Sequence, residues 1–207
     1  MVRDGTTYDV SSVTLNNGKV RGIFGGGNGL SAATRATVTT SQVVVNNGAV
    51  SFGVFGGGHG YATVNDSTVT INGSYDTDNS IRRAEGGGCA SNNIGAAGVS
   101  VALADVNTGN VTSMAHLTVN AGNFNIAYGG GLGYAYVGSA NTNLNGGTID
   151  WASAAGSNGI TANSHLTVNG ASVPVDYLLG AIRGQSGNPT ITVSNGQVNN
   201  LYLGNLS

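Results

Sequence analysis

Charged side chains are scarce in this sequence: Asp, Glu, Lys and Arg make up 8% of its 207 residues, against a usual share of roughly a quarter. Seven Lys and Arg residues lie scattered among nine Asp and Glu, for a formal net charge of −2. There is no basic field for phosphates, which argues against nucleic acid and anionic membranes as partners. The single cysteine, Cys89, allows no internal disulfide and has no CxxC partner for a metal. No apolar run reaches the roughly 18 residues of a membrane span. The opening Met1-Val2-Arg3-Asp4-Gly5 lacks the apolar core of a signal peptide; either an export signal lies outside this chain or the chain is not exported by that route.

Chemistry-bearing motifs are also missing. No GxGxxG stands between a strand and a helix, and no GxxxxGK[ST] occurs, so nucleotide binding has no support. The runs Gly25-Gly26-Gly27-Asn28-Gly29 and Gly56-Gly57-Gly58-His59-Gly60 lack the Asp of a calcium-binding nonapeptide. Three histidines among many serines single out no Ser-His-Asp arrangement. No cofactor or metal is expected.

What the chain has is a repeated phrase: an apolar strand ending in Asn, a Gly corner, a second apolar strand, then glycines. The Asn anchor returns at Asn16, Asn46, Asn72, Asn120, Asn145 and Asn169, with Ser194 in its place in the seventh copy. The steps are 30, 26, 48, 25, 24 and 25 residues, so the long step reads as two units with a degenerate copy between Ala90 and Ala115.

One position before each anchor stand Leu15, Val45, Ile71, Val119, Leu144, Val168 and Val193, and three before stand Val13, Val43, Val69, Leu117, Thr142, Leu166 and Ile191. Successive side chains of a strand point to opposite faces, so these positions face inward. Between them Thr14, Val44, Thr70, Thr118, Asn143, Thr167 and Thr192 face solvent. Val20, Val50, Phe124, Ile149, Val173 and Val198, four residues past their anchors, open the second strand, while Ser74 to Ser80 lengthen the third copy's corner.

Units of 24–30 residues with two or three strands and no helical period predict an all-β fold: a right-handed parallel β-helix, or β-solenoid, of seven to eight coils. It forms one domain over 1–207, with an irregular stretch at 86–115. The Asn anchors are expected to form a structural ladder, each amide bonding to the coil above and below. The triplets beginning at Gly25, Gly56, Gly86 and Gly129 form a bare stripe, packed either within the coil or against a neighbouring molecule. The last copy, closing on Leu201-Tyr202-Leu203, carries no polar cap, which reads as a fragment of a longer rod or a unit stacked end to end.

Along Val45-Asn46-Asn47-Gly48 and Val54-Phe55-Gly56-Gly57-Gly58-His59-Gly60 the chain resembles the Gly/Asn-rich repeat segments of bacterial surface proteins and autotransporter-type adhesins. The likeness covers most of residues 8–207 and weakens after Val137, where the triplet decays to Ala155-Gly156 and Gly180-Ala181. It implies an extracellular or cell-surface β-solenoid with an adhesive or scaffolding role, assigns no catalytic residue, and makes self-association or a host-surface glycan or protein the expected partner.

The candidate ligand surfaces are the Thr row (Thr14, Thr70, Thr118, Thr167, Thr192) and the glycine stripe. Tyr61, Tyr134 and Tyr136, which follow glycine runs, are candidate sugar platforms. Tyr128, Tyr177 and Tyr202, eight residues past their anchors like Phe24, are expected to pack within the coil. His116 and His165, in the same His-Leu-Thr-Val-Asn phrase, share a face two coils apart, too far for one metal ion. Two alternatives to a structural role stand beside these. A polysaccharide-active enzyme would use the loop Tyr75 to Glu85, where Asp76, Asp78, Arg82, Arg83 and Glu85 concentrate charge. An ice- or glycan-binding module would use the Thr row.

Overall fold

In a computed structural model, residues 7–29, 35–75, 81–89, 110–133, 135–157, 159–182 and 185–206 are described. The chain is an all-β parallel solenoid of about six turns. Among the described residues there is no helix.

The first strand of each unit builds one parallel sheet, sheet A, from β1 (Thr7–Leu15), β4 (Ala36–Val45), β7 (Ala62–Ile71), β9 (Asn110–Val119), β11 (Tyr136–Leu144) and the first halves of β13 (Ile160–Ile182) and β14 (Gln185–Leu206). The second strands build sheet B from β2 (Lys19–Phe24), β5 (Ala49–Phe55), β8 (Ile81–Glu85), β10 (Asn123–Tyr128), β12 (Thr148–Ser153) and the second halves of β13 and β14. A two-residue ladder, β3 (Asn28–Gly29) with β6 (His59–Gly60), continues through single bridges to Cys89 and Leu132.

The anchor alignment is the sheet A register. Leu15, Val45, Ile71, Val119, Leu144, Val168 and Val193 lie in one line across seven strands. The inward residues of both sheets meet in a continuous core that includes Val43, Val69, Leu117, Phe124, Ile149 and Leu178. A second, smaller-residue cluster of Ala36, Val38, Ala62, Val64, Val111 and Val137 fills the space beneath the glycine corners.

Two expectations are corrected. The long step hides no extra coil: β7 bonds directly to β9, Thr68 beside His116, and β8 bonds directly to β10. The additional residues therefore belong to one enlarged unit, and seven strand pairs, not eight, span the rod. In sheet B the line Val20, Val50, Ile81, Phe124, Ile149 continues to Val175 rather than Val173, because the register shifts between Val168 and Pro174 and lengthens that corner.

The two kinds of glycine do different work. At the Asn corner Gly18, Gly48, Gly122, Gly147 and Gly196 take φ between +94° and +147°, where a Cβ is disfavoured. The triplet glycines are required for space instead. A Cβ on Gly56 would sit 2.4 Å from the Gly86 carbonyl oxygen and 2.8 Å from Ser67 Oγ. The same position on Gly129 meets Ala154 O at 2.3 Å.

Candidate functional site

Gly25, Gly56, Gly86 and Gly129 are all buried. Their carbonyls accept the hydroxyls of Ser11, Ser41 and Ser67 at the first three copies, the last at 2.7 Å, and their amides bond to the next coil, as Gly86 N does to Tyr128 O at 3.0 Å. The stripe is covered by its own chain, so as a partner or ligand surface it is withdrawn. The sheet A serines that bond the first three triplets lie 14 to 19 residues away in sequence, and each triplet's upper neighbour is a whole coil away, which is why the local sequence does not reveal the fit.

The Asn ladder bonds coil to coil. Nδ2 of Asn46 donates to Asn16 Oδ1 at 2.8 Å, Asn72 to Asn46 at 2.8 Å, Asn120 to Asn72 at 2.9 Å and Asn145 to Asn120 at 3.0 Å. Asn169, at the register shift of β13, faces Asn195 across the strands. These amides are spent on structure.

Of the charged loop, Asp76 and Asp78 lie outside the described residues. Glu85 is fully buried, its Oε1 accepting Arg83 Nη1 at 3.1 Å, while Glu85 Oε2 and Arg83 Nε have no partner. Glu85 occupies a ladder position that reads Phe24, Phe55, Glu85, Tyr128, Ser153, Leu179, Tyr202 along the rod. Burial pushes its carboxyl up to about 8, against the opposing charge and hydrogen bond of Arg83. Burial, then the Glu85 charge, also raises the Cys89 thiol to about 12 and the Tyr128 hydroxyl above its ordinary range. A fully buried carboxyl group with Phe55 and Tyr128 as its neighbours along the rod is not presented to a polysaccharide. Among the described residues no group of three or more His, Cys, Asp or Glu could hold a metal ion.

Of the tyrosines, Tyr128 is buried, whereas Tyr202 is 47% exposed on the last strand. Tyr177 does not share their ladder; it stacks on Trp151 at 4.2 Å with 9° between the rings, half-buried on the outside of sheet B. Tyr134 lies outside the described residues.

The outward face of sheet A carries mainly polar side chains, half-buried along most of the Thr row. Thr14, Val44, Thr70, Thr118, Asn143, Thr167 and Thr192 do form one line, and Ser12, Gln42, Thr68, His116, Asn141, His165 and Thr190 form the neighbouring one. His116 and His165 flank Asn141, two strand spacings or roughly 10 Å apart. The regularity fails at β9: Val111 to Met114 spans one residue more than Val64 to Asp66 on one side and Val137 to Ser139 on the other. This is a β-bulge, which locally re-aims side chains. Gly138 makes room for it, since a Cβ there would lie 2.5 Å from Thr112 O.

Beside the bulge a groove of about 370 Å³ opens across β9, β11, β13 and β14, lined by Ser139, Asn141, Asn163, His165, Asn188 and Thr190 with Met114 at one wall. Thr190 Oγ1 donates to Ser164 O at 3.1 Å, so His165 Nδ1, 2.7 Å away, is the donor to Thr190. Its Nε2 lies 3.0 Å from the Thr167 hydroxyl, so both ring nitrogens are tied to neighbouring threonines. The groove is not visible in the sequence because its lining comes from four strands up to 76 residues apart, with the extra residue of β9 beside Met114. No protein-family model matches the chain, nor does any curated protein or solved structure.

Proposed function

We propose that the chain is a non-catalytic segment of an extracellular or cell-surface rod, which stacks end to end with further copies and meets a surface glycan or protein through the outside of sheet A. The observation that carries the reading is the pair of open ends. Among the described residues β1 pairs only with β4 and β14 only with β13, and core-type positions emerge there: Val13 is 36% exposed at one end, Leu201 52% and Tyr202 47% at the other. A second copy laid with its β1 on β14 continues every ladder, setting Val13 on Ile191, Thr14 on Thr192, Leu15 on Val193, Val20 on Val198 and Phe24 on Tyr202. Such a head-to-tail contact does not close on itself and builds a filament. The low charge and the Gly- and Asn-rich phrase support a surface location through the resemblance to adhesin repeats.

Sedimentation velocity tests the stacking. Wild-type chain is expected to grow with concentration, and Val13→Lys or Leu201→Lys, each checked for a native β spectrum, to remain monomeric. Growth that both variants leave untouched overturns this arrangement.

A further inference from the structure

The geometry points to a neutral saccharide as the ligand of the groove beside the β9 bulge. This rests on the adhesive half of the reading above and is independent of the stacking half. A volume of about 370 Å³ falls in the small-ligand range of about 300 to 1,000 Å³.

The lining decides the class. Over 110–119, 136–144, 160–169 and 185–195, the sheet A strands that build the groove contain no Asp, Glu, Lys or Arg. A phosphate, sulfate or uronate would find no cation there, and a cationic ligand no carboxylate. Asp66, the nearest acidic position in register, is occupied by Asn65 Nδ2 at 2.7 Å and by the Met114 amide at 3.2 Å. Across β9, β11 and β13 an extended peptide has nothing to pair with, because those strands are already bonded on both sides and β-augmentation needs a free edge; a strand added at the outer edge of β14 would extend sheet A beyond the groove and not lie in it. Met114 and Ala140 add apolar surface beside the amides and hydroxyls, which suits the C–H faces of a sugar ring as well as its hydroxyls; a wholly apolar ligand would leave the Ser139 and Asn141 side chains desolvated and unpaired.

What remains is a ligand that is uncharged and rich in groups that both donate and accept. The Asn141 amide and the Ser139 hydroxyl, which make no hydrogen bond among the described residues, offer both. Asn188 Nδ2 bonds Asn163 Oδ1 at 3.2 Å and holds that pair in place, leaving the Asn188 carbonyl and the Asn163 amino group for a ligand. The relay from Thr167 through His165 and Thr190 to Ser164 O immobilises the opposite wall, so few side chains need ordering on binding. A short glycan lying along the rod axis would meet these amides at intervals of about 4.8 Å, one per strand.

Saturation-transfer NMR with cellohexaose, mannohexaose and chitohexaose as neutral probes and hexagalacturonate as the charged one tests the assignment. At least one neutral probe is expected to bind and hexagalacturonate not to. Asn141→Ala with Asn163→Ala should weaken that binding about tenfold or more, the loss of one or two hydrogen bonds. Arg82→Ala, exposed on sheet B, should leave it unchanged. Binding by no neutral probe, equal binding by hexagalacturonate, or binding indifferent to the Asn substitutions overturns the proposal. Filament growth in the same samples reports separately on stacking.

Discussion

Arg83 Nη1 lies 3.1 Å from Glu85 Oε1 inside a wall of aromatic side chains, with the carboxylate fully buried and the guanidinium side chain 13% exposed. Phe55 and Tyr128 stand on either side of Glu85 along the rod, and Cys89 is near enough to feel its charge. Burial outweighs the attraction of Arg83 and pushes the carboxyl up to about 8, so the folded state holds a proton that the unfolded state releases near 4.5.

The sign of the pH effect follows. Below pH 4.5 both states are protonated and the contribution is complete. Between 4.5 and 8 only the folded state keeps the proton, so stability falls as pH rises, by at most about 1.4 kcal/mol per unit. Above 8 the loss levels off. Glu85→Gln keeps the acceptor for Arg83 and removes the titration. Melting temperatures measured from pH 4 to 9 should therefore show the variant gaining on wild type through this window; parallel curves would mean that Glu85 is ionised in the fold.

Three glycine substitutions separate space from backbone conformation. Gly56→Ala forces a Cβ to 2.4 Å from a carbonyl oxygen and should cost about 3 kcal/mol or prevent folding. Gly18→Ala meets open space at φ +127° and should cost about 1 to 2 kcal/mol. Gly204→Ala, with open space and no positive φ, should be neutral or slightly stabilising. Urea midpoints give the order, and equal losses at Gly56 and Gly204 would contradict the packing described.

The amide ladder predicts a positional gradient. Asn72 bonds both ways along the rod, to Asn46 and Asn120, whereas Asn16 has one ladder bond, to Asn46. At about 0.5 to 1.5 kcal/mol per bond, Asn72→Ala should lower stability roughly twice as much as Asn16→Ala in thermal unfolding. Equal effects would mean that the corner, not the ladder, sets their worth.

Much of the fold was legible because stacking repeats it. The alternation before each anchor, Val43 with Val45 or Leu166 with Val168, gives both the inward face and the sheet A register, since all coils bury the same positions. The long step reads as two units because extra residues between strands leave the strands themselves unchanged, so Ile71 and Val119 can be neighbours across 48 residues. Glu85 reads in sequence as the end of a charged loop because its neighbours along the rod, Phe55 and Tyr128, are 30 and 43 residues away and meet it only through stacking. The Thr row was visible, but the groove beside it was not: Asn141, Asn163 and Asn188 come together with Met114 only through the stacking of four strands.

Electron microscopy of the purified chain over a range of concentrations tests the central claim most directly. Seven strands at about 4.8 Å give each copy an axial length of roughly 34 Å, so the account predicts unbranched rods that lengthen in steps of that size. Single short particles at every concentration would contradict it.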